Sequence, residues 1–126
     1  MPGIRFEFHK PQTPPLEAGP YEAVEFSYDR MFANGDFLAK ESDNRWEYQG
    51  ERYASVQFTV PVDICFMTKG GRSRVLGPYG DFKVVDGVAY ASGHVFAFVD
   101  QERKDWYSYD LGRHFERMLI AKASDR

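Results

Sequence analysis

His94 is the residue whose neighbours in the sequence best suit acid–base chemistry. It opens an apolar run in which Phe96, Phe98 and Asp100 share its parity, so an extended strand would place an ionisable ring beside aromatic walls and a carboxylate. Asp63 lies in a second alternating segment. If both strands line one cavity, His94 and either Asp63 or Asp100 would form an acid–base pair able to exchange protons with a substrate.

A structural role explains the same residues more simply. His94 follows Gly93 at the entrance of a strand, where backbone groups can satisfy the ring, and Asp63 can face water. Perturbed ionisable groups identify sites only statistically. We therefore assign no catalytic residue from the sequence and favour a protein that is not an enzyme.

Other reactive groups lack the spacing that their chemistry needs. The three histidines are scattered without the paired spacing of a metal site, and the single Cys65 offers neither an internal disulfide nor a zinc ligand set. Neither a nucleophile elbow nor a phosphate-binding loop is present. The sequence predicts no metal site and no cofactor.

Two cations follow a pair of glycines, in the segment Gly70-Gly71-Arg72-Ser73-Arg74. Guanidinium groups and backbone amides in such a loop can hold a carboxylate or a phosphate, so Arg72 and Arg74 are candidates to steer an anionic end of a ligand. The net charge of −3 is spread along the chain, which argues against a nucleic-acid partner.

Aromatic residues make up 17% of the chain, so large rings must either fill the core or line a pocket. The residues chosen as walls of a pocket are those in strand-like segments near His94 and near the long alternating stretch. They are Phe58, His94, Phe96, Phe98, Trp106 and Tyr109.

These side chains depend on one element above all. Residues 54–66 keep a single apolar parity, formed by Ala54, Val56, Phe58, Val60, Val62, Ile64 and Phe66. The period of two predicts a half-buried strand. A flat strand of this length would be too long for a small domain, so we expect it to curl or to bend at Pro61, as in a barrel.

The remaining segments predict further short strands. Residues 11–20 form a proline-rich connector, and Asn34-Gly35 and Asp86-Gly87 suit tight hairpin turns. The run from His94 to Val99 is apolar on both parities, so we expect it to be covered on both sides, by the core and by a helix or by a second subunit of a homodimer.

The last segment changes period. Leu111, Phe115, Met118 and Leu119 recur at helical spacing after Asp110, which predicts a C-terminal helix over residues 110–123. The predicted fold is mainly β (α+β), with a curled antiparallel sheet or barrel of seven to nine strands and that helix. Residues 1–126 are expected to form a single domain, and no internal repeat is evident.

Charges interrupt the N-terminal segment, and no apolar stretch is long enough for a membrane helix, so we expect a cytoplasmic protein with no membrane partner. The predicted function is non-catalytic binding of a small, partly apolar or anionic ligand in an aromatic-lined pocket. Two alternatives stay open. One is a protein-interaction or regulatory module that uses aromatic surface and sheet edges, and the other is a cofactor-free isomerase, lyase or hydrolase that uses His94 with a carboxylate.

Overall fold

The computed structural model describes residues 3–68 and 70–123, without the side chains of residues 72–74. In the first part of the chain the strands are β1 (Ile4–His9), β2 (Leu16–Tyr21), β3 (Ala23–Ser27), β4 (Arg30–Ala33), β5 (Asp36–Ser42), β6 (Arg45–Tyr48), β7 (Glu51–Tyr53) and β8 (Ser55–Phe58). They are followed by β9 (Val62–Thr68), β10 (Gly71–Tyr79), β11 (Phe82–Val85), β12 (Val88–Ala91), β13 (His94–Asp100), β14 (Asp105–Ser108), β15 (Arg113–Phe115) and β16 (Arg117–Lys122).

The strands form two antiparallel sheets of eight strands each. Sheet A has the order β15-β14-β13-β12-β11-β8-β1-β2, and sheet B has the order β10-β9-β16-β3-β4-β5-β6-β7. The prediction of a mainly β, antiparallel fold is therefore confirmed. The predicted single curled sheet or barrel of seven to nine strands is not found, because the described part of the chain divides sixteen strands between two sheets that do not close into a barrel.

The two sheets have the same order of strands when each strand number is shifted by eight. Read from its other end, sheet B is β7-β6-β5-β4-β3-β16-β9-β10. Each of these strands differs by eight in number from the strand at the same position in sheet A. The registers match as well. Phe26 pairs with Met31 in β3–β4, and at the same position of β11–β12 Val84 pairs with Ala89. The chain is thus a repeat of two structurally equivalent halves, residues 4–58 and residues 62–122.

Each half is divided between the two sheets, and its last strand joins its own strands to those of the other half. Strand β8 of the first half lies between β1 and β11, and β16 of the second half lies between β9 and β3. Each sheet therefore contains three strands of one half and five of the other. Neither sheet can be completed by one half alone.

The long alternating segment has the predicted parity. Val56 and Phe58 are buried on β8 in sheet A, and Ile64 and Phe66 are buried on β9 in sheet B. The chain leaves the ladder between them, at residues 59–61, and Pro61 falls at this break. The segment is extended and bent as predicted, and it passes from one sheet to the other.

The predicted C-terminal helix is wrong, because the described residues of this segment form turns and strands β15 and β16. Glu116 separates the two strands where the chain crosses from sheet A to sheet B. This break shifts the parity by one residue, so that Phe115, Met118 and Ile120 all point inward. The resulting spacing imitates the i, i+3 pattern of a helix.

Aromatic rings fill the core between the sheets. The buried Phe26 ring makes edge contacts with Trp46, Phe58 and Trp106 at centroid distances of 5.7, 6.2 and 6.2 Å. Phe66 packs against Phe115 at 3.9 Å. Such contacts add to the free energy that burial of the rings supplies. Of the two roles open to the aromatic residues, filling the core accounts for most of the large ones.

A bulge in β13 changes which of its side chains point inward. The register between β12 and β13 shifts at Ala89/Tyr90, so that Phe96 and Ala97 are both buried and Phe98 lies on the outer face. The run is therefore partly exposed on one side. The predicted homodimer through this strand stays a prediction.

Proline marks the end of the first strand as expected, although strand pairing resumes earlier than predicted. Residues 10–15 connect β1 to β2, and Leu16 to Tyr21 then pair with β1. The proline-rich connector is thus shorter than residues 11–20. Among the described residues there is no helix of the length and apolar character that a membrane crossing requires.

Candidate functional site

Three rings on the outer face of sheet A pack against one another instead of entering the core. Phe98 lies 5.4 Å from Tyr107 and 5.5 Å from Tyr109, and the two tyrosine rings lie 5.6 Å apart. Tyr109 is 54% exposed. We call these three residues the aromatic face. Rings that combine an apolar body with a polar tip are well suited to contact a ligand from solvent.

The aromatic face borders a groove with a volume of about 370 Å³. Its walls come from β12, β13, the turns at their ends and the residue after β14. They are Asp86, Gly87, Val88, Tyr90, Val95, Phe98, Val99, Gln101 and Tyr109. The size lies near the lower limit for sites that hold small organic molecules. The groove is an open surface feature, distinct from the filled core.

A histidine and two carboxylates extend the aromatic face on β13, β14 and β15. The His114 ring lies 5.1 Å from that of Tyr107, and its Nδ1 is 3.0 Å from Asp105 Oδ1 and 3.9 Å from Asp100 Oδ2. Arg103 Nε is 3.5 Å from Asp105 Oδ2. A hydrogen bond from Nδ1–H to Asp105 fixes the imidazole orientation.

Asp100, Asp105 and His114 are also close enough to ligate a metal ion together, with ligand atoms within 4.8 Å of one another. The contacts among the three side chains account for this closeness without an ion. The cluster therefore adds a fixed imidazole and negative charge to one end of the aromatic face, and we base no metal centre on it.

The equivalent surface of the first half has a different chemistry. Strand registers place Lys40 where the second half has Phe98, Arg45 where it has Asp105, and Arg52 where it has His114. Tyr107 is matched by Glu47. Because the backbone arrangement is shared, the aromatic face is not a requirement of the fold.

A second, polar pocket of about 310 Å³ lies where β5 of sheet B meets β13 of sheet A. Its lining residues are Tyr28, Asp29, Glu41, Ser42, Asp43, Asn44, Val99 and Gln101. Glu41 is only 9% exposed, and its Oε2 has no hydrogen-bond partner. We call this depression the polar pocket.

The carboxyl group of Glu41 is less acidic than usual. Burial raises its pKa above the ordinary value of 4.5, and the negative charges of Asp29 and Asp86 raise it further, while a hydrogen bond from the backbone N–H of Gly87 opposes both effects. The group is therefore held in surroundings that favour either a proton or a cation.

The polar pocket and the groove are adjacent, and Val99 and Gln101 line both. A single elongated ligand could contact the aromatic face with one end and Glu41 with the other.

The chain matches no protein-family model, no curated protein and no solved structure. Function must be argued from the geometry.

Of the residues predicted to line a pocket, the structure brings Phe98 and Tyr109 together in the groove. Phe58, Phe96 and Trp106 are core residues, and the Trp106 indole Nε1–H donates to the backbone oxygen of Tyr28 at 3.1 Å. The side chains of Arg72 and Arg74 lie outside the described part of the chain.

The predicted acid–base residues are dispersed. His94 is exposed at the start of β13, and Asp100 ends the same strand, about 20 Å away at the usual rise per residue. Asp63 is buried on β9 in the other sheet. The structure instead places His114 next to Asp100.

Sequence reasoning missed Tyr107, His114 and Glu41 as site residues. For Tyr107 a signal existed, since Asp105, Tyr107 and Tyr109 alternate with the buried Trp106 and Ser108. His114 comes beside Tyr107 only through the pairing of β15 with β14. For Glu41 no local signal existed, because its burial results from contact with Gly87 and Val99 of the other half.

Proposed function

We propose that this protein is a non-catalytic binding domain that holds a small, partly apolar ligand in the groove beside the aromatic face. The supporting observation is the mutual packing of Phe98, Tyr107 and Tyr109 on the outside of a sheet whose opposite side is a filled core. Exposed rings that stabilise each other are preorganised, so a ligand has little side-chain entropy to remove on binding.

The positions of the ionisable groups favour binding over catalysis. A cofactor-free enzyme based on His94 needs a carboxylate within reach of that ring, and the nearest acid of its own strand lies at the opposite end. The sequence also favours a cytoplasmic location, because a chain with a single cysteine needs no oxidising compartment.

A protein-interaction module is the second candidate, and one observation favours it. Val95 and Tyr109 are 47% and 54% exposed beside the same groove, which leaves apolar surface that another protein, or a second copy of this chain, could cover. The two candidates use one surface and differ in the size of the occupant.

Substitutions in the aromatic face test whether ligands bind at this surface and not elsewhere on the molecule. We would record amide chemical shifts of the full chain during titration with a library of small aromatic compounds. The expected result is shift changes centred on Phe98, Val99 and Tyr109, and a loss of affinity of about tenfold or more in Tyr109→Ser. Phe37→Ser is the matched control, because Phe37 is 59% exposed on sheet B.

Molecular mass in solution separates the two candidates. A monomer whose groove residues respond to small compounds supports the ligand-binding proposal. A dimer that Tyr109→Ser dissociates and Phe37→Ser leaves intact would replace it with the interaction module. Shift changes confined to residues away from the groove would overturn both.

A further inference from the structure

We propose that the ligand of the groove is an amphiphilic cation, with an apolar body on the aromatic face and an ammonium or guanidinium group against Glu41 in the polar pocket. This inference rests on the proposed binding function and adds the charge of the ligand to it. It reverses the expectation from Arg72 and Arg74, which pointed to an anionic ligand.

The state of Glu41 is the first argument. Its side chain is nine-tenths buried, Oε2 accepts no hydrogen bond, and no cation of the described residues pairs with it. A buried acceptor without a partner costs free energy, and a buried carboxylate costs more. A cationic group in the polar pocket would offset the charge of the Glu41 carboxylate, so the pocket gains by binding one.

The surrounding charge is the second argument. Asp29 and Asp43 line the polar pocket, and Asp86 lies close enough to raise the pKa of Glu41. The arginines near these three acids are loosely placed, at 4.0 Å for Arg30 and Asp29, 3.9 Å for Arg52 and Asp43, and 3.8 Å for Arg45 and Asp86. None of these arginines lines the polar pocket, which among the described residues holds three carboxylates and no lysine or arginine. The field in the pocket therefore favours a cation over an anion.

The position of Glu41 relative to the groove is the third argument. The strand registers make Glu41 and Val99 equivalent residues of the two halves, and both side chains lie beside Gly87. Val99 also lines the groove. Glu41 of the first half and Val99 of the second half thus lie side by side where the polar pocket adjoins the apolar groove. A ligand that spans the junction needs a positive end and an apolar end.

Three probes of similar size test the charge. They are 2-phenylethylamine, which is a cation at neutral pH, the neutral 2-phenylethanol, and the anionic 3-phenylpropionate. Each would be titrated into the full chain, with amide shifts of Val99, Gln101 and Tyr109 as the readout. We expect the amine to bind at least about tenfold more tightly than the alcohol, which corresponds to one charge-assisted hydrogen bond, and the anion to bind most weakly.

Glu41→Gln tests the partner, because the amide keeps the shape and loses the charge. It should lower amine affinity by about tenfold and leave alcohol affinity unchanged. Asp36→Asn is the matched control, since it removes one negative charge from an exposed residue of the same strand, β5, that does not line the polar pocket. Its effect on amine affinity should be less than about threefold. Well-dispersed amide spectra establish that both variants are folded.

The outcomes separate the two proposals. Equal affinities for amine and alcohol, unchanged in Glu41→Gln, overturn the cation specificity and leave the groove as a binding site. Equal losses in Glu41→Gln and Asp36→Asn also overturn it, because they indicate a general charge effect. If none of the three probes shifts the groove residues, the ligand-binding function itself is wrong.

Discussion

Glu41 and Val99 occupy equivalent positions in the two halves of the chain and lie against the same glycine. A methyl group built on Gly87 would be 3.7 Å from both carboxylate oxygens of Glu41 and 3.7 Å from Val99 Cβ. The two halves therefore share a backbone arrangement here but differ in side-chain type, with a carboxylate in one half and an aliphatic group in the other. Because the fold accepts a valine at the equivalent position, it does not itself require a carboxylate at position 41.

Replacement of Glu41 by valine, the residue of the other half, should stabilise the protein by about 1–3 kcal/mol at pH 8, because it removes a buried acceptor that lacks a partner. The gain depends on pH. Burial raises the pKa of Glu41 in the folded state, so the folded protein binds this proton more tightly than the unfolded chain, and wild-type stability falls as pH rises from 4.5 through the folded pKa.

Urea unfolding of wild type and Glu41→Val at pH 4, 6 and 8 measures this difference. It should be smallest at pH 4 and reach a plateau once Glu41 is ionised in the folded state. A difference that shrinks with rising pH would contradict a raised pKa.

Phe26→Ala should be among the most destabilising substitutions, by about 3–5 kcal/mol, since the ring is fully buried and contacts three other large aromatic side chains. Phe37→Ala removes the same atoms from a ring that is mostly exposed. Its cost should stay within about 0.5–1 kcal/mol. Denaturant midpoints of the two variants give the comparison, and equal losses would mean that the ring cluster is not the core.

Gly19→Ala should destabilise the protein by more than about 2 kcal/mol, because the added Cβ would lie 2.5 Å from the backbone oxygen of Ile4 and the residue has a φ of +108°. Gly80→Ala is the control, since no atom lies within 4 Å of its Cβ position. Thermal unfolding of both variants suffices. A neutral Gly19→Ala would disprove the close approach of β2 to β1.

The contact between His114 and Asp105 should have a coupling energy of about 0.2–1 kcal/mol, because both side chains are partly exposed to solvent. A double-mutant cycle with His114→Gln and Asp105→Asn measures this coupling by urea unfolding. We expect it to weaken in high salt. Strictly additive single changes would show that the two side chains do not interact in solution.

Local alternation of apolar residues predicted the strands correctly where it was uninterrupted. It misled where the chain passes from one sheet to the other or contains a bulge. The single parity of residues 54–66 gave a correct extended and bent segment, because the break at Pro61 preserves the inward direction. At Glu116 a one-residue break changes which alternate residues point inward. The buried Phe115 and Met118 are therefore three residues apart, as on one face of a helix, although both lie on strands. The bulge beside Phe96 similarly separated it from Phe98, which alternation had placed on the same side.

The repeat also escaped the sequence reasoning, although it left traces. Gly19-Pro20-Tyr21 recurs as Gly77-Pro78-Tyr79, and Trp46 has Trp106 as its equivalent. Between these positions few residue types are shared, because a buried strand accepts any apolar side chain of suitable volume. Only the hydrogen-bond registers make the equivalence evident, and with it the position of Glu41.

The division of each half between the two sheets has a consequence for folding. A peptide that ends near residue 59 would lack the five second-half strands of sheet A and would expose the edge of β8 where β11 pairs, so we expect it to stay unstructured until the second half is added. Cleavage between β8 and β9 should yield two fragments that recombine into a heterodimer. Two copies of one half, each placing three strands beside five of the other, would form a homodimer with the same strand order.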